Sequence, residues 1–182
     1  MKKTQEIISQ QTKDWVEHFV IALNLCPFAR SPFERQSIRY SVSQAQNRED
    51  LLRGLILELQ KINSNLDIET TLLIHPEVLQ DFRDYNDFLM IVDAVLEDME
   101  LDGIIQVASF HPDYCFAGEE ASDVSNYTNR SPYPMLHILR ESSVEKAVKT
   151  YPNVGEIPEN NIIKVREMGL GFFNDFNAEN KS

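Results

Sequence analysis

Two short apolar runs, each closed by the same dipeptide, constrain this chain most. Thr70-Thr71-Leu72-Leu73-Ile74 ends at His75-Pro76, and Ile104 to Phe110 ends at His111-Pro112. Both runs are β-branched and apolar with little alternation, the pattern of strands covered on both faces. Between them, Asp81 to Leu101 carries Phe82, Tyr85, Phe88, Leu89, Val92, Val95, Leu96 and Met99 at helical spacing. Upstream, Ser37 to Ser43 alternates Ile38, Tyr40 and Val42 with Arg39, Ser41 and Ser43, as an edge strand with one exposed face does. Leu51, Leu52, Leu55, Ile56, Leu59 and Ile62 then mark a helix, with Asn47 placed to cap it and Asp50 in the reciprocal position. This β-α-β-α-β order predicts one α/β domain spanning 1–182, with a central, mainly parallel sheet flanked by helices.

The rest of the chain reads as helices and loops. Thr4 to Leu25 is amphipathic through Ile8, Trp15, Val16, Phe19, Val20 and Leu23, and Cys26-Pro27 stops it. Phe28 to Gln36 is a connecting loop. Ser131-Pro132 has the form of a helix start, so a helix carrying His137 and Arg140 is expected there. Ser142 to Tyr151 is a further helix, with Ser142 and Glu145 as a capping box and Pro152 as its breaker. Pro158 to Met168 is the last helix, and residues 175–182 are a frayed polar tail.

In a parallel sheet, both His-Pro pairs fall at the carboxyl ends of their strands, where open α/β sheets bind ligands. With the alternating strand at the edge, the two apolar strands become neighbours. His75 and His111 then stand about 4.8 Å apart and bracket one small group. After His111 come Asp113 and a polar loop with Asn126, Asn129 and Arg130, so polar chemistry concentrates between Val107 and Glu141. Three of the four histidines lie in these segments, and imidazole suits proton transfer near neutral pH. Arg130 before a helix start would hold a carboxylate or phosphate, its fork aided by free amides.

This predicts an enzyme acting on a small anionic metabolite. His111, Asp113 and His75 do the acid–base work. Arg130, Asn129, Asn126 and His137 bind and orient the substrate. The alternative is a non-catalytic ligand- or protein-binding regulatory module. Each residue also has a structural reading. A His-Pro can simply end a strand, Asn126 and Asn129 can shape turns, and Arg130 can pair with an acid. A metal held by His75, His111 and Asp113 is an alternative use, although no tight ligand motif such as His-Glu-x-x-His is present. No phosphate-loop or dinucleotide glycine signature points to a cofactor.

A net charge of −12 on 182 residues argues against nucleic acid and anionic membranes as partners. No apolar run approaches the ~20 residues of a membrane span. Two cysteines, Cys26 and Cys115, form no disulfide framework, so free thiols and a cytoplasmic location are expected.

Several blocks resemble a bacterial family known as domain of unknown function 1415. They are Asn24-Leu25-Cys26-Pro27-Phe28-Ala29, Thr71 to Pro76, Tyr85 to Leu89, Ser109 to Tyr114, and Asn126 to His137. The resemblance covers nearly the whole chain. The family pattern has glutamine where this chain has Cys115, which implies that a shared chemistry does not use that thiol. Cys26 matches the Cys-Pro-Phe block and stays eligible as a binding-site residue.

Overall fold

A computed structural model describes residues 2–151 and 153–179. In chain order it contains α1 (Lys2–Trp15), a π-helical continuation (Val16–Ile21), α2 (Arg30–Glu34), β1 (Ile38–Val42), α3 (Arg48–Ser64), β2 (Thr70–Ile74) and α4 (Phe82–Asp98). Then come β3 (Ile105–Phe110), a 3-10 turn (Val124–Thr128), β4 (Met135–Arg140), α5 (Glu141–Thr150), a short 3-10 turn (Val154–Glu156) and α6 (Ile157–Glu179). The mixed α/β class is as expected. The sheet is not mainly parallel. Its order is β1-β2-β4-β3, with β1 and β2 parallel and β4 antiparallel to both its neighbours.

The source of the difference is β4, where a helix was expected. Ser131-Pro132 resembles a helix start, but the Ser131 hydroxyl donates to the nearby Tyr133 carbonyl, and Pro134 keeps Tyr133 from helical geometry. The Pro134 carbonyl instead accepts the His75 N–H at 3.0 Å, starting the ladder. Met135 to Leu139 then buries side chains on both faces, which suits a strand inside a sheet. A short apolar run carries no periodicity that separates helix from strand. The prize of two strand ladders decides it.

One face of the sheet is covered by α3 and α4. Leu51, Leu55, Leu59 and Ile62 of α3 and Tyr85, Phe88, Val92 and Leu96 of α4 pack on Leu73, Ile105, Leu136 and Ile138. Asn47 caps α3 by accepting the Asp50 N–H, and Asp81 caps α4 by accepting from Arg83 and Asp84. At the edge, Arg39 of β1 grips the buried Glu58 of α3 through two bonds of 2.6 and 2.9 Å. The opposite face receives Trp15, Val16 and Phe19 from the first helix and Val165 and Phe173 from α6, packed on Leu72, Ile74 and Met135.

Smaller differences follow the same logic. Arg30–Glu34, expected as loop, forms one helical turn and a half. α5 starts at Glu141, so Ser142 lies inside it and the expected capping box is absent. Pro152, its expected breaker, lies outside the described residues, as do 180–182 of the expected frayed tail. α6 itself runs through Glu179, with Gly169 breaking it at φ +72°. Only glycine adopts that backbone without a Cβ penalty.

Candidate functional site

β2 and β3 run in the same direction, so His75 and His111 do sit at one end of the sheet. They are not on neighbouring strands. β4 lies between, and Met135 is paired with Ile74 on one side and Phe110 on the other. The separation is therefore about two strand spacings, roughly 10 Å, rather than one. Tyr85 of α4 occupies the gap. Its ring centroid is 5.8 Å from that of His75 and 5.1 Å from that of His111. Its hydroxyl donates to the Met135 carbonyl at 2.8 Å and accepts the Phe110 N–H at 3.0 Å.

Both histidines are fully buried. The His111 Nδ1 accepts the Asp113 N–H at 3.0 Å, which leaves Nε2–H to donate to the Leu79 carbonyl at 3.1 Å. Burial lowers its pKa, opposed by that carbonyl and by the Asp113 charge. His75 donates from Nδ1 to the Val78 carbonyl at 2.9 Å, and its Nε2 is buried with no partner. Burial holds its pKa down to about 4, with the nearby His111 acting in the same direction. Asp113 is exposed. The expected bracket around a small group is thus filled with packed rings. Among the described residues, no group of three His, Cys, Asp or Glu side chains is placed to hold a metal.

The polar loop between Asp113 and Arg130 is shaped by the residues expected to bind. Asn126 is fully buried, accepting from the Phe116 N–H and donating to the Glu120 carbonyl, both at 2.9 Å. Asn129 donates to the Ser109 carbonyl at 3.3 Å. Arg130 donates to the carbonyls of Tyr114 at 3.2 Å and Ala121 at 2.7 Å, and its guanidinium lies over the Tyr127 ring at 4.7 Å. The helix start on which its anion-holding role depended is absent, because β4 follows. Cys115 is tied to the same loop through the Phe116 and Glu119 carbonyls.

The other two expected residues, His137 and Cys26, meet elsewhere. They line an apolar cavity of about 130 Å³ on the opposite face of the sheet. Its floor is Thr70, Leu72, Phe110 and His137 of the strands, and its walls include Trp15, Val20, Phe28 and Val144. The π-helical turn Val16–Ile21 supplies part of the wall. Such turns are rare and recur at functional sites. His137 is the middle of β4, on the face shared by Met135 and Leu139. Its Nε2 is 2.8 Å from Thr70 Oγ1, whose own proton goes to the Ile138 carbonyl at 2.7 Å. Nε2 therefore carries the proton, and Nδ1 is left as a lone pair with no bond among the described residues. Burial alone lowers the His137 pKa to about 4. Burial likewise raises the Cys26 thiol, against opposing backbone contacts from Phe28 and Ala29. Both cysteines are free thiols.

Thr70, Phe110 and Val144 had no functional signal in the sequence. The signal that was there is His137 itself, an imidazole in the middle of an apolar strand.

The comparisons with known proteins add kinship. A family model described as "Protein of unknown function (DUF1415)" matches residues 7–175. No curated protein and no solved structure matches the chain. The match runs from α1 into α6 and so takes in all four strands and all four histidines; the chain belongs to the DUF1415 family.

Proposed function

We propose that this protein binds a small, largely apolar molecule in the His137 cavity. The observation that carries the reading is a preformed apolar cavity lined by His137, whose Nδ1 has no bond among the described residues. Binding sites for small molecules are mostly apolar with a few placed polar groups. An apolar cavity of ~150 Å³ accepts a benzene-sized ring, so about 130 Å³ suits a ring or a short branched chain. A hydroxyl or amide N–H on the ligand would donate to Nδ1. A ligand-binding role for the chain is thus favoured over acid–base work by His111, whose two ring nitrogens are both engaged. Cys26 lines the same cavity, but burial keeps it as the thiol, which is a weak nucleophile. The two free thiols support a reduced, cytoplasmic setting. No helix among the described residues is long and apolar enough to cross a membrane.

The test is an NMR titration with phenol and benzene, following the His137 ring nitrogens. Saturable phenol binding that moves the Nδ1 resonance is expected, with Val144→Phe filling the cavity and abolishing it. His137→Phe should remove the preference for phenol over benzene. If neither probe saturates and Nδ1 does not move, the cavity is not a binding site.

A further inference from the structure

The sheet has two outer strands, β1 and β3, and they are guarded differently. An outer strand exposes a row of unpaired N–H and C=O groups, and proteins shield such rows with charge, proline or a covering segment. β1 has charge and cover. It carries Arg39, the Gln5 side chain of α1 donates to the Val42 carbonyl at 3.4 Å, and Lys13 of α1 lies over the Tyr40 ring at 5.4 Å. β3 reads Ile-Gln-Val-Ala-Ser-Phe, with no charged residue and no proline. Ile104, just before it, is a large apolar side chain left 46% exposed.

The hydrogen bonds fix which groups of β3 point outward. The Glu141 N–H donates to the Ile104 carbonyl, and this pair extends the β3–β4 register by one step. Backbone groups alternate sides along a strand, so Gln106, Ala108 and Phe110 bond towards β4. Ile105, Val107 and Ser109 turn their N–H and C=O groups to the open edge. The Ile105 N–H is already occupied by the Leu101 carbonyl at 2.9 Å, and the Ser109 carbonyl by the Asn129 amide at 3.3 Å. The Ile105 carbonyl, both groups of Val107 and the Ser109 N–H have no partner among the described residues.

We propose that β3 pairs with β3 of a second copy of this chain, antiparallel, about a two-fold axis at Val107. Val107 then faces Val107 and the two exchange both bonds, while each Ser109 N–H donates to an Ile105 carbonyl across the axis. Every free group gains a partner. The groups that this pairing would otherwise join, the Ile105 N–H and the Ser109 carbonyl, are the ones already satisfied within each chain. That match selects a second copy over an unrelated strand, which would bring a carbonyl to the occupied Ile105 N–H and an N–H to the occupied Ser109 carbonyl and leave both unbonded. The same register sets Gln106 against Ala108 and the exposed Ile104 against Phe110, so no like charges meet across the axis. The inference does not depend on the cavity being a binding site.

Sedimentation equilibrium of the full chain over a dilution series at low salt, with hydrogen exchange read at single amides, tests it. The wild type should form a reversible dimer. The Val107 and Ser109 amides should exchange slowly in the dimer and fast on dilution. The Gln106 side chain is exposed, and the register puts its two copies diagonally across the axis. Gln106→Lys therefore sets two lysines against each other without touching the core, and should weaken dimerisation about five-fold. Mixing it one-to-one with Gln106→Glu should restore wild-type affinity in the mixed dimer, which a merely damaged strand would not do. A chain that stays monomeric overturns the proposal, whether the two amides exchange fast or are slowed by another segment lying on the edge. So does a dimer in which those amides stay fast, because it forms elsewhere. A Gln106→Lys dimer as tight as the wild type overturns the register at Val107.

Discussion

His137 and Thr70 lie on adjacent antiparallel strands, and the 2.8 Å bond between them decides which imidazole nitrogen carries the proton. The Thr70 hydroxyl spends its proton on the Ile138 carbonyl, so it can only accept from the ring. A threonine on β2 thereby leaves the Nδ1 of a histidine on β4 as an acceptor.

That relationship predicts a specific loss. Thr70→Val keeps shape but strands the His137 N–H. Leaving buried polar groups unsatisfied costs about 1–3 kcal/mol. Urea unfolding should show a lower midpoint with an unchanged slope, and Thr70→Ser should restore most of it. In the valine variant the ring nitrogens should lose their single-tautomer NMR signature.

Stability should depend on pH in a defined window. His75 and His137 are both held to about 4 in the folded chain, against 6.5 unperturbed. Between these values the unfolded chain takes up protons that the folded chain refuses. Stability is therefore full above pH 6.5, falls as pH drops from 6.5 to 4, and loses no more from these two groups below that. Each histidine contributes on the order of 3 kcal/mol across the window. Glu58 acts at lower pH: burial raises its pKa, but Arg39 and Ser41 more than offset this and leave it lowered. Chemical denaturation from pH 4 to 7 should show the slope, to which His111, also lowered, adds, and His75→Asn should reduce it.

Tyr85→Phe should cost about 1–3 kcal/mol, since it leaves the Met135 carbonyl and the Phe110 N–H without their shared hydroxyl. The loss should also appear as faster amide exchange at Phe110. Unchanged exchange there would mean that the hydroxyl does not hold the end of β3.

Arg130→Ala should destabilise the loop from Asp113 to Arg130 by about 1–3 kcal/mol, because it frees two carbonyls and uncovers the Tyr127 ring. Arg130→Lys should recover little, since one ammonium cannot span both carbonyls and stack as well. Limited proteolysis within the loop is the measurement. A variant that resists cleavage like the wild type, yet responds differently to phosphate, would return Arg130 to the role of anion anchor.

Elements with strong local signals were legible in the chain alone. The stripes of α3 and α4, the Asn47 cap, the edge character of β1 and the buried run of β2 each follow from spacing and side-chain chemistry within one segment. So did the placing of His75 and His111 at one end of the sheet, because both strands end in the same dipeptide. What lay beyond local reading was β4. Its six residues support helix or strand equally in isolation, and only the unpaired edges of β2 and β3 choose the strand. That insertion separates the two histidines, puts Tyr85 where a ligand was expected, and removes the helix start beside Arg130. It also carries His137 to the other face, into a cavity shared with Cys26 from over 100 residues away. Sequence by itself determined the α/β class and the residues able to do chemistry. Tertiary structure decided which of them meet, because strand order is set by long-range hydrogen bonds that no single segment contains.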